Sequence, residues 1–189
     1  AAPFGAWFNG GHYQLASFSP ERFLTVKNGH VTTCPIKGTR PRDADRHEDA
    51  RLRGELVNSE KDRAENAMIV DLLRNDLSRV CRDSSVHVPA LNRLESHTRV
   101  HHLVSHVSGE LADGYSALDL LRAAFPGGSI TGAPKVRAMQ IIAEQETHAR
   151  GPYCGSLGYM SFDGQLDSNI LIRTLIYDGE QARLNTGGG

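Results

Sequence analysis

Residues 155–185 read GSLGYMSFDGQLDSNILIRTLIYDGEQARLN. Asp163-Gly164 and Asp178-Gly179 punctuate the stretch as tight turns, because glycine accepts the positive φ that such turns need. Between them lie runs of β-branched and aromatic residues. They predict strands over Gly155–Phe162, Asp167–Tyr177 and Gln181–Asn185.

Upstream, strands and helices come in clusters. Phe23–Val26 and His30–Thr33 flank Lys27-Asn28-Gly29, and Asn-Gly is a strong hairpin signal. The polar stretch Thr39–His47 reads as a loop. Ser59 and Asp62 form a capping box that opens a helix running to about Leu77. Val86–Pro89 is expected as a short strand and His101–Leu111 as a longer one. Ser116 and Asp119 cap a second helix, which stops at Phe125-Pro126-Gly127-Gly128; Pro134 suits the first turn of a third, continuing to Glu146. Clustering without strict β–α alternation favours an α+β fold with antiparallel sheet over a doubly wound one.

The composition excludes several function classes. Lys and Arg number 21 against 22 Asp and Glu, so the net charge is −1 and no basic surface for nucleic acid is indicated. With 39% hydrophobic and 23% charged residues the chain is globular in character. No apolar run approaches the roughly 20 residues that span a bilayer. Cys34, Cys81 and Cys154 are too few and too scattered for a disulfide framework, which suggests a reducing, cytoplasmic setting.

Several constellations carry chemistry. If Val26 pairs with His30, Glu21 falls opposite Pro35, and Glu21 and Lys37 project to one side at the open end of the hairpin. An acid beside an amine suits a general acid and a nucleophile, or equally a surface ion pair. Glu65 shares a helix face with Ile69, Leu72 and Asp76. A carboxylate on a partly apolar face needs a cation: Arg, Lys or a metal ion. Gly128-Ser-Ile-Thr-Gly-Ala-Pro-Lys135 fails as a phosphate loop, which requires Lys directly after Gly. It retains glycines, hydroxyls and free N–H groups that suit a carboxylate or phosphate, or simply cap a helix. Arg173 interrupts an apolar strand and calls for an anionic partner. His97, His101, His102 and His106 would pair for zinc on a helix; on a strand they split between two faces, and zinc is set aside.

These pieces resemble the chorismate-utilising enzymes, and within them component I of aminodeoxychorismate synthase. The resemblance is carried in order by Ser19-Pro-Glu-Arg-Phe23, Pro35-Ile-Lys-Gly-Thr39, Ser59-Glu-Lys-Asp-Arg-Ala-Glu-Asn66 and Ile69-Val-Asp-Leu-Leu-Arg-Asn-Asp76. It continues through His102-Leu-Val-Ser105, Phe125-Pro-Gly-Gly-Ser-Ile-Thr-Gly-Ala-Pro-Lys135, Gly155-Ser-Leu-Gly-Tyr159 and Ile172-Arg-Thr174. It implies two stacked antiparallel sheets with outer helices, binding chorismate with Mg²⁺. On this resemblance Lys37 would be the nucleophile, Glu21 the general acid and Glu65 a Mg²⁺ ligand. Gly38, Thr39, Ser129, Thr131, Tyr153, Arg173 and the Gly187-Gly188-Gly189 loop would surround the substrate carboxylates. The implied reaction is replacement of the chorismate C4 hydroxyl by ammonia from a glutaminase subunit or domain, giving 4-amino-4-deoxychorismate for para-aminobenzoate and folate synthesis.

The family pattern also contains further carboxylates after the glycine-rich loop and more strands before Ala1. Residues 1–189 are therefore expected to form a partial chorismate-binding domain, truncated at both ends, and by themselves inactive. The nearest rival is anthranilate synthase component I, which typically carries Ala at the position of Lys37 and Ala at that of Gly188. Isochorismate and salicylate synthases, which use water, are a second rival. A chorismate-binding module without turnover is a third.

Overall fold

A computed structural model describes residues 2–187. The fold is α+β, with two antiparallel sheets and five helices among the described residues. β1 (Phe4–Asn9), β2 (Gln14–Ser19), β10 (Thr174–Tyr177) and β11 (Ala182–Leu184) form a four-stranded sheet in that order. The larger sheet has the order β5 (Ile36–Pro41), β7 (Val100–Glu110), β4 (His30–Thr33), β3 (Arg22–Lys27), β9 (Leu166–Ile170), β8 (Ser156–Met160). β6 (His87–Ser96) pairs with β7 as well.

The hairpin of β3 and β4 forms one register step away from the expected one. Lys27 faces His30 and Val26 faces Val31, so the turn is the two residues Asn28 and Gly29. Both take positive φ, 52° and 79°, the pattern of a type I′ turn whose twist matches the strands. The predicted facing of Glu21 and Pro35 therefore does not occur.

Three other expectations are corrected. The stretch read as a loop over Thr39–His47 contains the end of β5, and α1 (Arg46–Asn58) begins within it. Asp45 caps α1 by accepting from the His47 and Glu48 amides, but only Leu56 of this helix is buried, so no apolar period announces it. The short strand at Val86–Pro89 is the start of the much longer β6, whose polar bulge at Asn92 (φ 54°) disguises it. The single strand expected over Asp167–Tyr177 is two strands, β9 and β10, in different sheets.

α2 (Glu60–Ser78) is the helix predicted from Ser59, whose hydroxyl accepts from the Asp62 amide at 3.2 Å. It buries Ile69, Leu73 and Leu77 at four-residue spacing against Leu24, Val26 and Val31 of the larger sheet. Each such side chain contributes about 1.5–3 kcal/mol on burial. α3 (Ala117–Ala124) carries the predicted capping box, with Ser116 and Asp119 bonded reciprocally, and adds Leu120 to the same core. After it come the short α4 (Gly128–Thr131) and α5 (Lys135–Gln145). No described helix is long and apolar enough to cross a membrane.

The smaller sheet turns hydroxyls inward, with Thr174 donating to Ser17 at 2.9 Å, while Trp7, Phe18 and Leu184 are exposed. The chain passes from one sheet to the other at two places: through Pro20-Glu21 between β2 and β3, and through Leu171-Ile172-Arg173 between β9 and β10. The Ile170 amide donates to the Glu21 carbonyl at 3.1 Å, and the Phe18 amide to the Arg173 carbonyl at 3.0 Å. The two crossings are thereby held side by side.

Candidate active site

A cleft of about 690 Å³ opens beside these crossings. Glu21 enters it from the first and Arg173 from the second. Lys37 arrives from β5 at a register break between Ile36 and Thr39, where β5 loses step with β7. Such a bulge re-aims a side chain that a regular ladder would fix. Gly38 completes it at φ 84°; a Cβ there would lie 2.9 Å from the Cβ of Asp62. Glycine lets β5 and α2 approach closely enough to close the cleft wall.

Lys37 Nζ donates to the Ser129 carbonyl at 3.1 Å. Glu21 is buried, and burial pushes its carboxyl up to about 7, against the opposing pull of the Ser129 side chain and the Lys37 charge. Acid and amine therefore meet at Ser129, brought there by the sheet crossing and the β5 bulge and not by the open end of the hairpin. Arg173 stands at a bend with φ 51°, exposed to the cleft, and not within a strand. Among the described residues it has no carboxylate partner, which leaves its guanidinium available to an anionic ligand.

Thr39, Ser129 and Tyr153 also line the cleft. Gly187 does too, packed so that a Cβ would fall 3.0 Å from the Tyr153 hydroxyl. Gly188 and Gly189 lie outside the described residues. Thr131 lines a neighbouring cavity of about 450 Å³, and its hydroxyl donates to the carbonyl of Gly127, the cap of α4, at 3.0 Å. A threonine one turn into a short helix finds a backbone acceptor before it finds a ligand.

Sequence reasoning missed several cleft residues as ligand-facing groups. Asp62 was legible only as a cap; it lies 3.4 Å from Arg40, itself bonded to Glu55 at 2.7 Å. His102 sits within a family motif. Its Nδ1 is 2.8 Å from the Thr39 hydroxyl, and burial, followed by the His97 and Arg173 charges, pushes it down to about 4, so it is neutral. Arg150 binds Glu146 and donates to the Ile130 carbonyl at 3.0 Å, a role no local pattern signalled.

Mg²⁺ can be tested against the donor set. No group of three His, Cys, Asp or Glu residues among the described residues could enclose a metal. Glu65 nevertheless presents a part-exposed carboxylate to the cleft, with Lys61 as its ion-pair partner among the described residues, at 3.8 Å. One hard oxygen donor beside a cleft suits Mg²⁺, which commonly takes its remaining oxygens from substrate and water.

The profile of the family described as chorismate binding enzyme matches residues 1–189. The chain belongs to this family. It is 53% identical over 188 residues to aminodeoxychorismate synthase component 1 of Salmonella typhimurium, covering 100% of this chain and 41% of that relative. It is 45% identical over 188 residues to anthranilate synthase component 1 of Aquifex aeolicus, covering 38% of it. The crystal structure of anthranilate synthase component I from Streptococcus pneumoniae superposes with a TM-score of 0.86 at 41% identity, over 96% of this chain and 40% of that one. This member of the chorismate binding family thus spans about two fifths of the length of the relatives it matches, and shares their fold.

Proposed function

We propose that the full-length protein aminates chorismate to 4-amino-4-deoxychorismate, with ammonia delivered by a glutaminase partner. The observation that carries this reading is the convergence of Lys37 and Glu21 on Ser129 in a cleft that also holds Arg173, which has no carboxylate partner among the described residues. Chorismate is a dianion with a hydroxyl to be expelled, so it needs cationic groups, a proton donor and a nucleophile.

In this mechanism Arg173 binds a substrate carboxylate through paired N–H donors. Lys37, in its neutral form, adds through its nitrogen lone pair to the ring. The ring electrons shift and break the C4–O bond, and Glu21 gives its proton to the departing hydroxyl, which leaves as water; the proton shed by the incoming ammonia later returns to Glu21. Ammonia then takes C4, the electrons of the ring shift back, and the Lys37 amine is expelled. Dividing the displacement lowers each barrier. A carboxyl held near 7 is a proton donor matched to neutral pH. Neutral His102 with Thr39 supplies hydrogen bonds without a competing charge. Glu65 would hold Mg²⁺, which supplies charge neutralisation for the substrate carboxylates.

Lys37 separates this reading from anthranilate synthesis, where Ala is expected at that position. Product identification by mass spectrometry is the test, using full-length protein, chorismate, Mg²⁺ and ammonium. Aminodeoxychorismate supports the proposal; anthranilate or isochorismate as the sole product overturns it.

A further inference from the structure

Two of the sequence motifs end on residues that the chemistry above does not use: Asp76 closes one and Lys135 closes the other. Fifty-nine positions apart, they meet. Lys135 Nζ donates to Asp76 Oδ2 at 2.7 Å and to the Ala124 carbonyl at 2.7 Å, with side chains 13% and 5% exposed for Lys135 and Asp76. A buried ion pair of this kind must overcome the desolvation of both charges, so it is retained only where its geometry is well satisfied.

Its position gives it a task. Ala124 ends α3 and Lys135 begins α5, so this one ammonium closes the base of the loop 125–134 and ties it to the last turn of α2. The loop presents Ser129 to Lys37. It is wedged in place by close packing: a Cβ on Gly127 would lie 2.7 Å from Ile170, and one on Gly128 2.7 Å from Leu72. α2 also carries Asp62 and Glu65, which line the same cleft.

We infer that Lys135, through Asp76 and the Ala124 carbonyl, is a positioning residue of the active site: it sets where the Ser129 carbonyl stands and so fixes the Lys37 amine. The inference deepens the reading of Lys37 as nucleophile and rests on it for its catalytic consequence, but the placement of Lys37 can be tested without chorismate.

The experiment compares the full-length protein with its Asp76→Leu/Lys135→Met double variant. Replacing both members of a buried pair by apolar residues is often neutral for stability, so the double variant should melt near the parent temperature. Acylation of Lys37 by an amine-selective ester, read by mass spectrometry against exposed Lys27, should rise about threefold or more, because the amine loses its fixed acceptor. In the presence of chorismate and ammonium, kcat should fall roughly tenfold to a hundredfold with a smaller change in KM, as expected for misplacement of a reacting group. A folded double variant with the parental labelling ratio overturns the inference. If the double variant does not fold, Lys135→Arg decides: it keeps the charge but moves the donor atoms, and an unchanged labelling ratio overturns the inference while a raised one supports it. A parent inert toward chorismate sinks the proposed function and leaves the labelling result standing.

Discussion

The Ile170 amide donates to the Glu21 carbonyl at 3.1 Å, so the last residue of β9 and the general-acid candidate are held together by backbone, not by side chains. This explains how a carboxyl can be buried without an Arg or Lys in direct contact: its location is set before its own side chain interacts with anything.

The pH dependence of stability follows. Glu21 titrates near 7 in the folded state against 4.5 as its ordinary value. Between these values the folded state binds more protons at this group, so the contribution of Glu21 to stability is largest below about pH 4.5 and is lost as pH rises through 7. The difference amounts to about 3 kcal/mol. Glu21→Gln should flatten this slope in denaturant titrations of the full-length protein; an identical slope in parent and variant contradicts the assignment. The same variant should slow chorismate turnover by roughly 10²–10⁴.

Lys37→Ala should abolish any covalent chorismate adduct detectable by mass spectrometry and lower turnover with ammonium by at least about a hundredfold. Unchanged turnover would leave Lys37 a structural amine, held by the Ser129 carbonyl.

Glu65→Gln should raise the Mg²⁺ concentration giving half-maximal activity about tenfold or more, because an amide is a poorer ligand for a hard cation. A Mg²⁺ titration that does not move makes Glu65 a surface carboxylate paired with Lys61.

Gly38→Ala should destabilise the protein by about 1–3 kcal/mol, since alanine tolerates φ 84° poorly and its Cβ meets that of Asp62. Chemical denaturation measures this directly. A loss below ~0.5 kcal/mol would mean that β5 and α2 can move apart.

How much was legible depended on whether a local signal existed. Ser59 and Ser116 announced α2 and α3 because capping is chemistry within four residues. α1 was invisible because Leu56 alone is buried and its polar face is held by Arg and Glu pairs. The run Ile170-Leu171-Ile172 is apolar throughout, so nothing in it tells that Arg173 bends the chain into a second sheet. In the site, the convergence of Glu21 and Lys37 was anticipated, but from a hairpin register one residue out. The pairing of Thr39 with His102 and of Asp76 with Lys135 spans more than fifty residues each, beyond any periodicity argument.

The paired crossings carry a consequence for how the chain can change length. Gly164 and Gly179, at the outer turns, have open space around a prospective Cβ, so insertions there would extend a solvent loop and leave the cleft alone. Pro20-Glu21 and Leu171–Arg173 have no such freedom. One residue added to either would carry the carboxyl or the guanidinium a full step along the chain, changing the distance between them across the cleft. Relatives that accept different molecules should therefore vary in side chains at these joints while keeping their residue count.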